Sequence, residues 1–454
     1  MYSEKVSSLL ARKGIKIGDR IRLNARGSMF EGRLMPRPDA GSGDVIIIKL
    51  DNGYNVGIGM EGDAPVAIDK LQDSVITTSF SNASASRSAK NIAANSAKVE
   101  LLYTGGTIGS KVDYVTGGVY MLTKPEELMY EVPELGSIAS INVRHLMSVA
   151  SEDISYREWQ AIARNVADAF NCGARGVVIT HGTDTMHYTS AALSFMLKDL
   201  KGPVVITGAQ RSSDRGSSDG FMNLICSVHF AARGTIPEVG ICMHGDTSDE
   251  YCNFIRGTKA RKMHTSRRDA FRPVNSTPLA RIGTDGSIAY SNDVTVQNNT
   301  KDIKDMKTTA KEAFEPKVAL VKAHPDSDPD IIRYYSGKGY RGIIIEGTGL
   351  GHAPVSTPHK EYNWLENIKQ AAGSGVVIGI TSQCLYGRVD SSVYRNARLM
   401  ADAGAVYCED MLPEVAYVKL GFLLGNYGSE EAAKLLPVNI AGEITKRSEV
   451  DWFV

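Results

Sequence analysis

Hydroxyl and carboxylate side chains recur after the apolar segments of this sequence, in short runs most of which contain glycine. The first run, at residues 104–109, reads TGGTIG, and a later one at 180–185 reads THGTDT. The others are SED at 151–153, GAQRS at 208–212 and HGD at 244–246. Threonine hydroxyls near carboxylates suit acyl transfer, because the glycine backbone N–H groups can approach a substrate and stabilise an oxyanion.

Spacing argues against several other kinds of site. A phosphate-binding loop requires Gly-Lys-Ser/Thr, whereas Gly109 is followed by Ser110 and then Lys111. The glycines of the first run also do not follow the G-x-G-x-x-G spacing of dinucleotide-binding loops. The nine histidines lack the paired spacing of zinc ligands, so no metal site is expected.

A threonine hydroxyl becomes a nucleophile only when a neighbouring base removes its proton. Thr183 and Asp184 place a second hydroxyl beside a carboxylate, and a lysine can serve as the base where burial lowers its pKa. Simpler interpretations remain open for each residue. Thr183 and Asp184 are also suitable caps for a helix beginning near Met186. His181 fits a structural histidine better than a base, and Lys262 alone reads as a solvated charge.

The chain from residue 98 onward alternates strand and helix patterns, which is typical of βαβ units around a parallel sheet. Ligands bind beyond the carboxyl ends of such strands, so the polar runs are expected to meet at one edge. A polar segment at about 274–316 separates two such blocks. Strands are predicted at 99–103, 176–180, 203–207, 239–243, 318–322, 342–346 and 376–381, and helices at 156–170, 186–200, 219–233, 362–372 and 430–436.

The residues before 73 form a separate pattern of short strands. An apolar run at 44–50 meets Asn52-Gly53 and a second run at 54–58, which predicts a hairpin with a type I′ turn. Several such strands close together favour a small barrel. The predicted organisation is a small β-barrel domain at 1–73, a flexible linker at 74–97, an α/β domain carrying the catalytic loops at 98–290, a connector at 291–316 and a smaller C-terminal α/β domain at 317–454.

Composition gives no sign of a nucleic-acid or membrane partner. Lys and Arg together number 51, as do Asp and Glu, so the formal net charge is zero. The six cysteines form no C-x-x-C pair, which is typical of reduced thiols. No apolar run approaches the roughly 18 residues needed to span a bilayer. We therefore expect a soluble protein of the cytoplasm.

Taken together, the runs at 104–109, 151–153 and 181–185 resemble the L-asparaginase/glutaminase family, and the resemblance covers roughly residues 98–440. It implies an asparaginase-like two-domain α/β body, here preceded by the small all-β barrel. Thr107 corresponds to the nucleophile and Tyr114 to the tyrosine that assists it. The family's second group, a hydroxyl, a carboxylate and a lysine that transfer protons, corresponds to Thr183, Asp184 and Lys262.

The resemblance also implies how a substrate amino acid is held. Ser151 and Asp184 correspond to residues that bind its α-carboxylate and α-amino groups. Glu152 stands where many secreted members have glutamine, so the contacts there differ. Lys262 is chosen over Lys259 as the catalytic lysine because of its spacing to Phe271.

The extra N-terminal domain resembles that of the D subunit family of archaeal-type glutamyl-tRNA(Gln) amidotransferases. This resemblance implies a subunit that releases ammonia from glutamine by threonine-nucleophile chemistry. A separate E subunit then uses ATP and Mg²⁺ to convert Glu-tRNA(Gln) to Gln-tRNA(Gln), and the tRNA is held mainly by that partner. No cofactor is expected in this chain, which would form a homodimer within a heterotetramer.

Two alternatives remain. One is a free-standing L-asparaginase, and the other is a catalytically inactive scaffold that binds RNA or a protein partner. Basic residues outnumber acidic ones between residues 16 and 37 and again at 256–272. Such stretches are more often solvated faces or carboxylate-binding rims than RNA-binding surfaces.

Overall fold

The structure of the protein is a computed structural model. It describes residues 2–25, 28–35, 44–50, 55–60, 67–71, 97–106, 108, 110–112, 119–121, 132, 134–212, 217–291 and 306–453, with the backbone alone at 55, 110–112 and 119–121. Except for Ala97, the predicted linker at 74–97 lies outside these residues.

The first five strands form one antiparallel sheet, which confirms a small β domain at the N-terminal end of the described chain. β3 (Val45–Leu50) pairs with β4 (Asn55–Gly59), as the two apolar runs predicted, while the turn itself lies outside the described residues. Helix α1 (Glu4–Arg12), which the sequence analysis did not anticipate, packs Val6 and Leu10 into the core of this domain. The sheet order is β4-β3-β2-β1-β5, with β1 at Arg20–Ala25, β2 at Ser28–Leu34 and β5 at Ala67–Lys70.

An eight-stranded sheet forms the centre of the next domain. Its central strands are buried on both faces, which explains their nearly continuous apolar sequences, whereas the strands at the edges are partly exposed. Five neighbouring strands run parallel, and three antiparallel strands extend the sheet on one side. In spatial order they are β9 (Ser140–His145), β6 (Lys98–Tyr103), β10 (Gly176–Thr180), β12 (Val204–Thr207), β13 (Val239–His244), β14 (Tyr251–Arg256), β17 (Ala280–Gly283) and β18 (Ile288–Tyr290).

Helices cover both faces of this sheet, so the predicted α/β fold is confirmed. Strand residues such as Ile179 pack toward one pair of helices, and their neighbours such as Val178 pack toward the opposite helix. The helices are α2 (Leu135–Ile138), α3 (Tyr156–Asn171), α4 (Met186–Met196) and α5 (Gly220–Arg233).

Two predicted boundaries differ from the structure. Helix α4 ends at Met196, four residues earlier than predicted. The next two residues are extended and form β11 (Leu197–Lys198), which pairs with β19 (Thr309–Ala310). The segment at 274–316 is not simply a separator, since β17 and β18 lie within it and complete the large sheet. Two hairpins stand outside that sheet: β7 (Ser110–Val112) with β8 (Val119–Met121), and β15 (Ala260–Lys262) with β16 (Phe271–Pro273).

The C-terminal domain is a four-stranded parallel sheet with helices between successive strands. The three predicted strands are present, and β23 is added at one edge. The strands, in spatial order, are β20 (Val318–Lys322), β21 (Gly342–Gly347), β22 (Val377–Ser382) and β23 (Ala405–Tyr407). The helices are α6 (Asp330–Gly337), α7 (Leu365–Gly373), α8 (Arg395–Asp402), α9 (Pro413–Tyr427) and α10 (Ser429–Leu435). Short 3₁₀ turns occupy Ser151–Asp153, Lys360–Tyr362 and Val450–Trp452.

Helix α9 joins the two α/β domains. It packs on the C-terminal sheet and also on α4 of the preceding domain, where Phe195 and Phe422 stack with ring centroids 6.1 Å apart. Because α9 is buried on most of its sides, its sequence carries no amphipathic period. Neither α9 nor any other helix in the described part of the chain has the length and apolar run needed to cross a membrane.

We expect Phe422→Ala to lower the free energy of unfolding by about 3–5 kcal/mol, because it removes a fully buried ring from the shared core. Tyr334→Ala is the control, since this ring is 58% exposed, and should change the free energy by less than about 0.5 kcal/mol. Denaturant unfolding followed by tryptophan fluorescence measures both, because Trp159 and Trp364 are buried in different α/β domains. A loss below about 1 kcal/mol for Phe422→Ala would contradict the shared core.

Candidate active site

The loops that follow β6 and β10 are layered against each other at the carboxyl edge of the sheet. Gly106 has φ +90°, and a Cβ atom there would lie 2.5 Å from the carbonyl carbon of His181. Gly182 in turn lies against Ser151, whose own Cβ would be 2.7 Å from an added Cβ. Side chains at these two positions would separate the layers, so both glycines are required by close approach. The structure thus brings three of the predicted polar runs together.

Lys262 reaches this edge from the β15–β16 hairpin and contacts two of the predicted residues. Its Nζ donates hydrogen bonds to Thr183 Oγ1 at 2.9 Å and to Asp184 Oδ1 at 2.6 Å. Only 11% of the lysine side chain is exposed, and Thr183 is buried, whereas the Asp184 side chain is 67% exposed. A recessed ammonium group therefore links a buried hydroxyl to an open carboxylate. Such a group can move a proton, while the carboxylate can face a cationic ligand.

This geometry bears on the alternative interpretation of Thr183 and Asp184 as helix caps. The residue that precedes α4 is Thr185, whose side chain makes no capping bond and instead donates to the Ser151 carbonyl at 2.5 Å. Thr183 and Asp184 accept hydrogen bonds from Lys262 and do not cap the helix. Lys262 is likewise not a solvated surface charge.

His181 has the structural role that its surroundings favour. Its Nδ1–H donates to the Gly182 carbonyl at 2.6 Å, and its Nε2 accepts from the Thr189 hydroxyl at 2.8 Å. The Gly182 carbonyl can only accept, which assigns the hydrogen to Nδ1 and leaves Nε2 as the acceptor. The Thr189 oxygen also accepts from the Trp159 indole N–H at 3.0 Å. Complete burial lowers the pKa of His181 to about 4, so the ring is neutral at pH 7.

The other predicted site residues are placed differently. Ser151 is buried beneath Gly182, and Glu152 beside it is exposed on the rim. Lys259 is directed away from this edge and forms a buried ion pair with Asp410 at 2.8 Å. The proposed nucleophile Thr107 and the assisting residue Tyr114 lie outside the described residues.

The loop at 208–212 is braced by residues that the sequence analysis did not single out. The buried Asp219 carboxylate accepts the backbone N–H groups of Gln210 and Arg211, each at 3.0 Å. Asn223 donates its side-chain amide to the Gly208 carbonyl at 2.9 Å. An aspartate immediately before an apolar helix is a recognisable pattern, but its expected reading is a helix cap. Its role in fixing a loop depends on the folded arrangement.

The basic stretch at 256–272 is paired with carboxylates of the same chain, with Asp269 shared by Arg267 and Arg272. Each of its seven lysine and arginine residues lies within 4 Å of a carboxylate. The charges of this stretch are therefore engaged in ion pairs within the chain. Within the described residues, no group of three or more His, Cys, Asp and Glu side chains is arranged to hold a metal ion.

Comparisons with known proteins match three parts of the chain to family models. Residues 15–68 match the GatD N-terminal domain, residues 98–296 the N-terminal asparaginase domain, and residues 317–436 the glutaminase/asparaginase C-terminal domain. Together these cover the small β domain and both α/β domains.

Similar proteins fall into two groups. Two D subunits of glutamyl-tRNA(Gln) amidotransferases match along nearly their whole length. The one from Pyrococcus furiosus is 45% identical over 99% of this chain and 100% of its own, and the one from Methanopyrus kandleri is 43% identical over 98% and 94%. Among solved structures, the thermostable L-asparaginase from Thermococcus kodakarensis and L-asparaginase I from Vibrio cholerae each give a TM-score of 0.66 at 30% identity. Each covers 77% of this chain and 99% of its own chain.

The low pKa of His181 predicts how stability depends on pH. The unfolded chain binds this proton near pH 6.5 and the folded chain only near pH 4. Stability from this group is therefore complete above pH 6.5 and falls by up to about 3 kcal/mol as the pH decreases to 4. In His181→Gln, the free energy of unfolding should be lower at pH 7, with a shallower decline between pH 6.5 and 4. An equally steep decline in this variant would contradict the assignment.

Proposed function

The chain belongs to the family of glutamyl-tRNA(Gln) amidotransferase D subunits, and we propose that it is the glutamine-hydrolysing subunit of a tRNA-dependent amidotransferase. The observation that carries this proposal is the Lys262 ammonium group, recessed between Thr183 and Asp184 at the carboxyl edge of an asparaginase-like sheet. A lysine held on a hydroxyl and a carboxylate is suited to proton transfer during amide cleavage. Similarity along the entire chain, small β domain included, favours glutamine over asparagine as the amide.

The proposed reaction begins at Thr107, whose role rests on the family resemblance. Its Oγ forms a bond to the carboxamide carbon, and its proton passes to the departing nitrogen through the group formed by Thr183, Asp184 and Lys262. The C–N bond breaks, ammonia leaves, and an acyl ester on Thr107 remains. Water then cleaves the ester, giving glutamate and restoring the hydroxyl. Backbone N–H groups of the glycine-rich loops are the expected donors to the oxyanion.

Substrate binding is proposed from the exposure of the rim residues. The open Asp184 carboxylate is suited to the α-amino group of glutamine, and Ser151 to its α-carboxylate. Tyr114 assists Thr107, and Glu152 changes the contacts that a glutamine would make at that place. Asp184 therefore has two roles, since it also accepts a hydrogen bond from Lys262.

The fate of the ammonia depends on a partner. We propose that an E subunit receives it and uses ATP and Mg²⁺, bound by that subunit, to amidate Glu-tRNA(Gln) in the cytoplasm. The pairing of all basic residues at 256–272 with carboxylates supports binding of the tRNA mainly by the partner, because those charges already have partners within this chain. A homodimer of this chain within a heterotetramer is the proposed assembly.

A free-standing L-asparaginase is the second candidate, favoured by the likeness of the α/β body to two solved L-asparaginases. Hydrolysis of glutamine and of asparagine by the pure chain, with and without the E subunit and Glu-tRNA(Gln), separates the two. Glutamine turnover that rises strongly only with both additions supports the amidotransferase role. Efficient asparagine hydrolysis by the chain alone, indifferent to the tRNA, would replace it with the second candidate.

Variants of the site test the chemistry. We expect Thr107→Ala, Asp184→Ala and Lys262→Met each to reduce ammonia release by at least about 10³-fold, because each removes one member of a group that acts as a unit. Thr104→Val is the matched control in the same loop, since its hydroxyl is already donated to the Thr180 carbonyl at 2.6 Å. The control should keep most of the activity. Wild-type turnover in any of the first three variants would refute the assigned chemistry.

A further inference from the structure

The hairpin that carries Lys262 belongs to the first α/β domain but is held by the second. Lys259, just before the hairpin, pairs with Asp410, and both side chains are almost completely buried. Asp410 also accepts the backbone N–H and the hydroxyl of Thr445, at 2.9 and 2.5 Å. After the hairpin, the Asn275 amide exchanges hydrogen bonds with the Gly387 backbone at 3.0 and 2.9 Å. Both ends of the hairpin are therefore fixed to the C-terminal domain.

Between these anchors, the residue next to Lys262 makes a third contact across the domain boundary. Arg261 Nη1 donates to both carboxylate oxygens of Glu414, at 3.0 and 2.8 Å. Glu414 lies in the first turn of α9, and its side chain is only 4% exposed. A carboxylate buried to this degree is costly without a cation, so the pair holds Arg261 in place.

The direction of the Lys262 side chain follows from that contact. Successive residues of a strand point to opposite faces, so fixing Arg261 toward α9 turns Lys262 toward the Thr183–Asp184 loop. A lysine side chain has several rotatable bonds, and ordering it costs about 1.5–2 kcal/mol. A strand held at the adjacent residue reduces the number of positions that the ammonium group can reach.

We propose that Glu414 is a positioning residue, which acts through Arg261 to hold the ammonium group of Lys262 on Thr183 and Asp184. The proposal rests on the catalytic role of Lys262 proposed above. It assigns to the C-terminal domain a part in the reaction, although Glu414 touches neither Thr183 nor Asp184 through any described hydrogen bond. The ring of His187 also lies near Glu414, with Nε2 4.0 Å from the carboxylate.

A second buried ion pair on the same helix provides a matched control. Lys419 Nζ lies 2.6 Å from Glu443 Oε1, and neither side chain is exposed. Both residues belong to the C-terminal domain, and Lys419 also donates to the carbonyls of Leu436 and Val438. Loss of the Glu443 charge should therefore destabilise the protein to a similar extent while leaving the Arg261–Glu414 contact in place. The loop that Glu443 braces meets the chain before the hairpin, where the Thr258 hydroxyl donates to the Ala441 carbonyl at 3.0 Å, and not at Arg261.

The experiment compares Glu414→Gln with Glu443→Gln in the full chain, using two readouts. The first is the rate at which a small N-hydroxysuccinimide ester acylates Lys262, measured by mass spectrometry, which requires no enzymatic activity. The second is kcat and KM for ammonia release from glutamine by the complex with the E subunit and Glu-tRNA(Gln). Glu414→Asp tests rescue, since it restores the charge one methylene shorter.

We expect Glu414→Gln to raise Lys262 acylation several-fold and to lower kcat by about 10- to 100-fold with little change in KM, because misplacement of a catalytic group chiefly affects turnover. Glu443→Gln should leave both readouts near wild type, even where its unfolding midpoint is lowered as far as that of Glu414→Gln. Glu414→Asp should recover part of kcat. Unchanged Lys262 acylation in Glu414→Gln, whatever happens to kcat, would overturn the positioning role. Raised acylation with unchanged kcat would support the positioning of Lys262 and instead refute its catalytic role in the proposed function.

Discussion

The contact between the Lys262 ammonium group and the side chains of Thr183 and Asp184 is the interaction on which the candidate site depends. Hydrogen bonds to a charged group contribute about 1.5–3 kcal/mol each, while ordering a lysine side chain costs about 1.5–2 kcal/mol. Two such bonds would exceed that ordering cost by about 1–4.5 kcal/mol, but the Asp184 side chain is 67% exposed, so solvent screening reduces its share. The contact alone therefore fixes the ammonium group only weakly. Its geometry must be fixed by the elements that carry its members, which are far apart in the chain. Two packing arrangements, one on each side of the lysine, meet this requirement.

On one side, the close layering of backbone fixes the hydroxyl and the carboxylate. Gly106 lies against the His181–Gly182 peptide, and Gly182 lies against Ser151, so no side chain separates the loops. Beneath them the neutral His181 links the backbone to Thr189 by hydrogen bonds that leave its ring nitrogens satisfied. On the other side, the β15–β16 hairpin is fixed by Asp410 and Glu414 of the C-terminal domain. The site is thus assembled from the rigid edge of the sheet and from an interdomain clamp, which is the pair of contacts that Lys259 and Arg261 make with Asp410 and Glu414.

How far sequence reasoning reaches differs between these two sides. The strands and the loops that follow them were predictable, because short apolar runs and the polar segments after them are local features. The parallel order of the sheet then brought 104–106, 151–153 and 181–185 to one edge. Helix α9 was missed because burial on most sides removes the amphipathic period. β17 and β18 were missed because they are short strands in a polar segment.

The interdomain clamp could not be predicted from local sequence patterns. The Arg261–Glu414 contact joins residues 153 positions apart, and neither the spacing nor the composition around Glu414 distinguishes it from an ordinary helix-opening glutamate. Sequence alone left the basic stretch at 256–272 as either a solvated face or a carboxylate-binding rim, whereas folding places a carboxylate of the same chain within 4 Å of each of its lysine and arginine side chains.

That pairing bears on how an asparaginase-like body is adapted within a larger assembly. The α/β body is shared with L-asparaginases, and the small β domain at the N-terminus is the part for which a separate family model is needed. Charges committed to interdomain ion pairs are unavailable to an RNA backbone, but they connect α9 to the hairpin that carries Lys262. Any partner that shifts α9 relative to the large sheet therefore shifts the ammonium group as well.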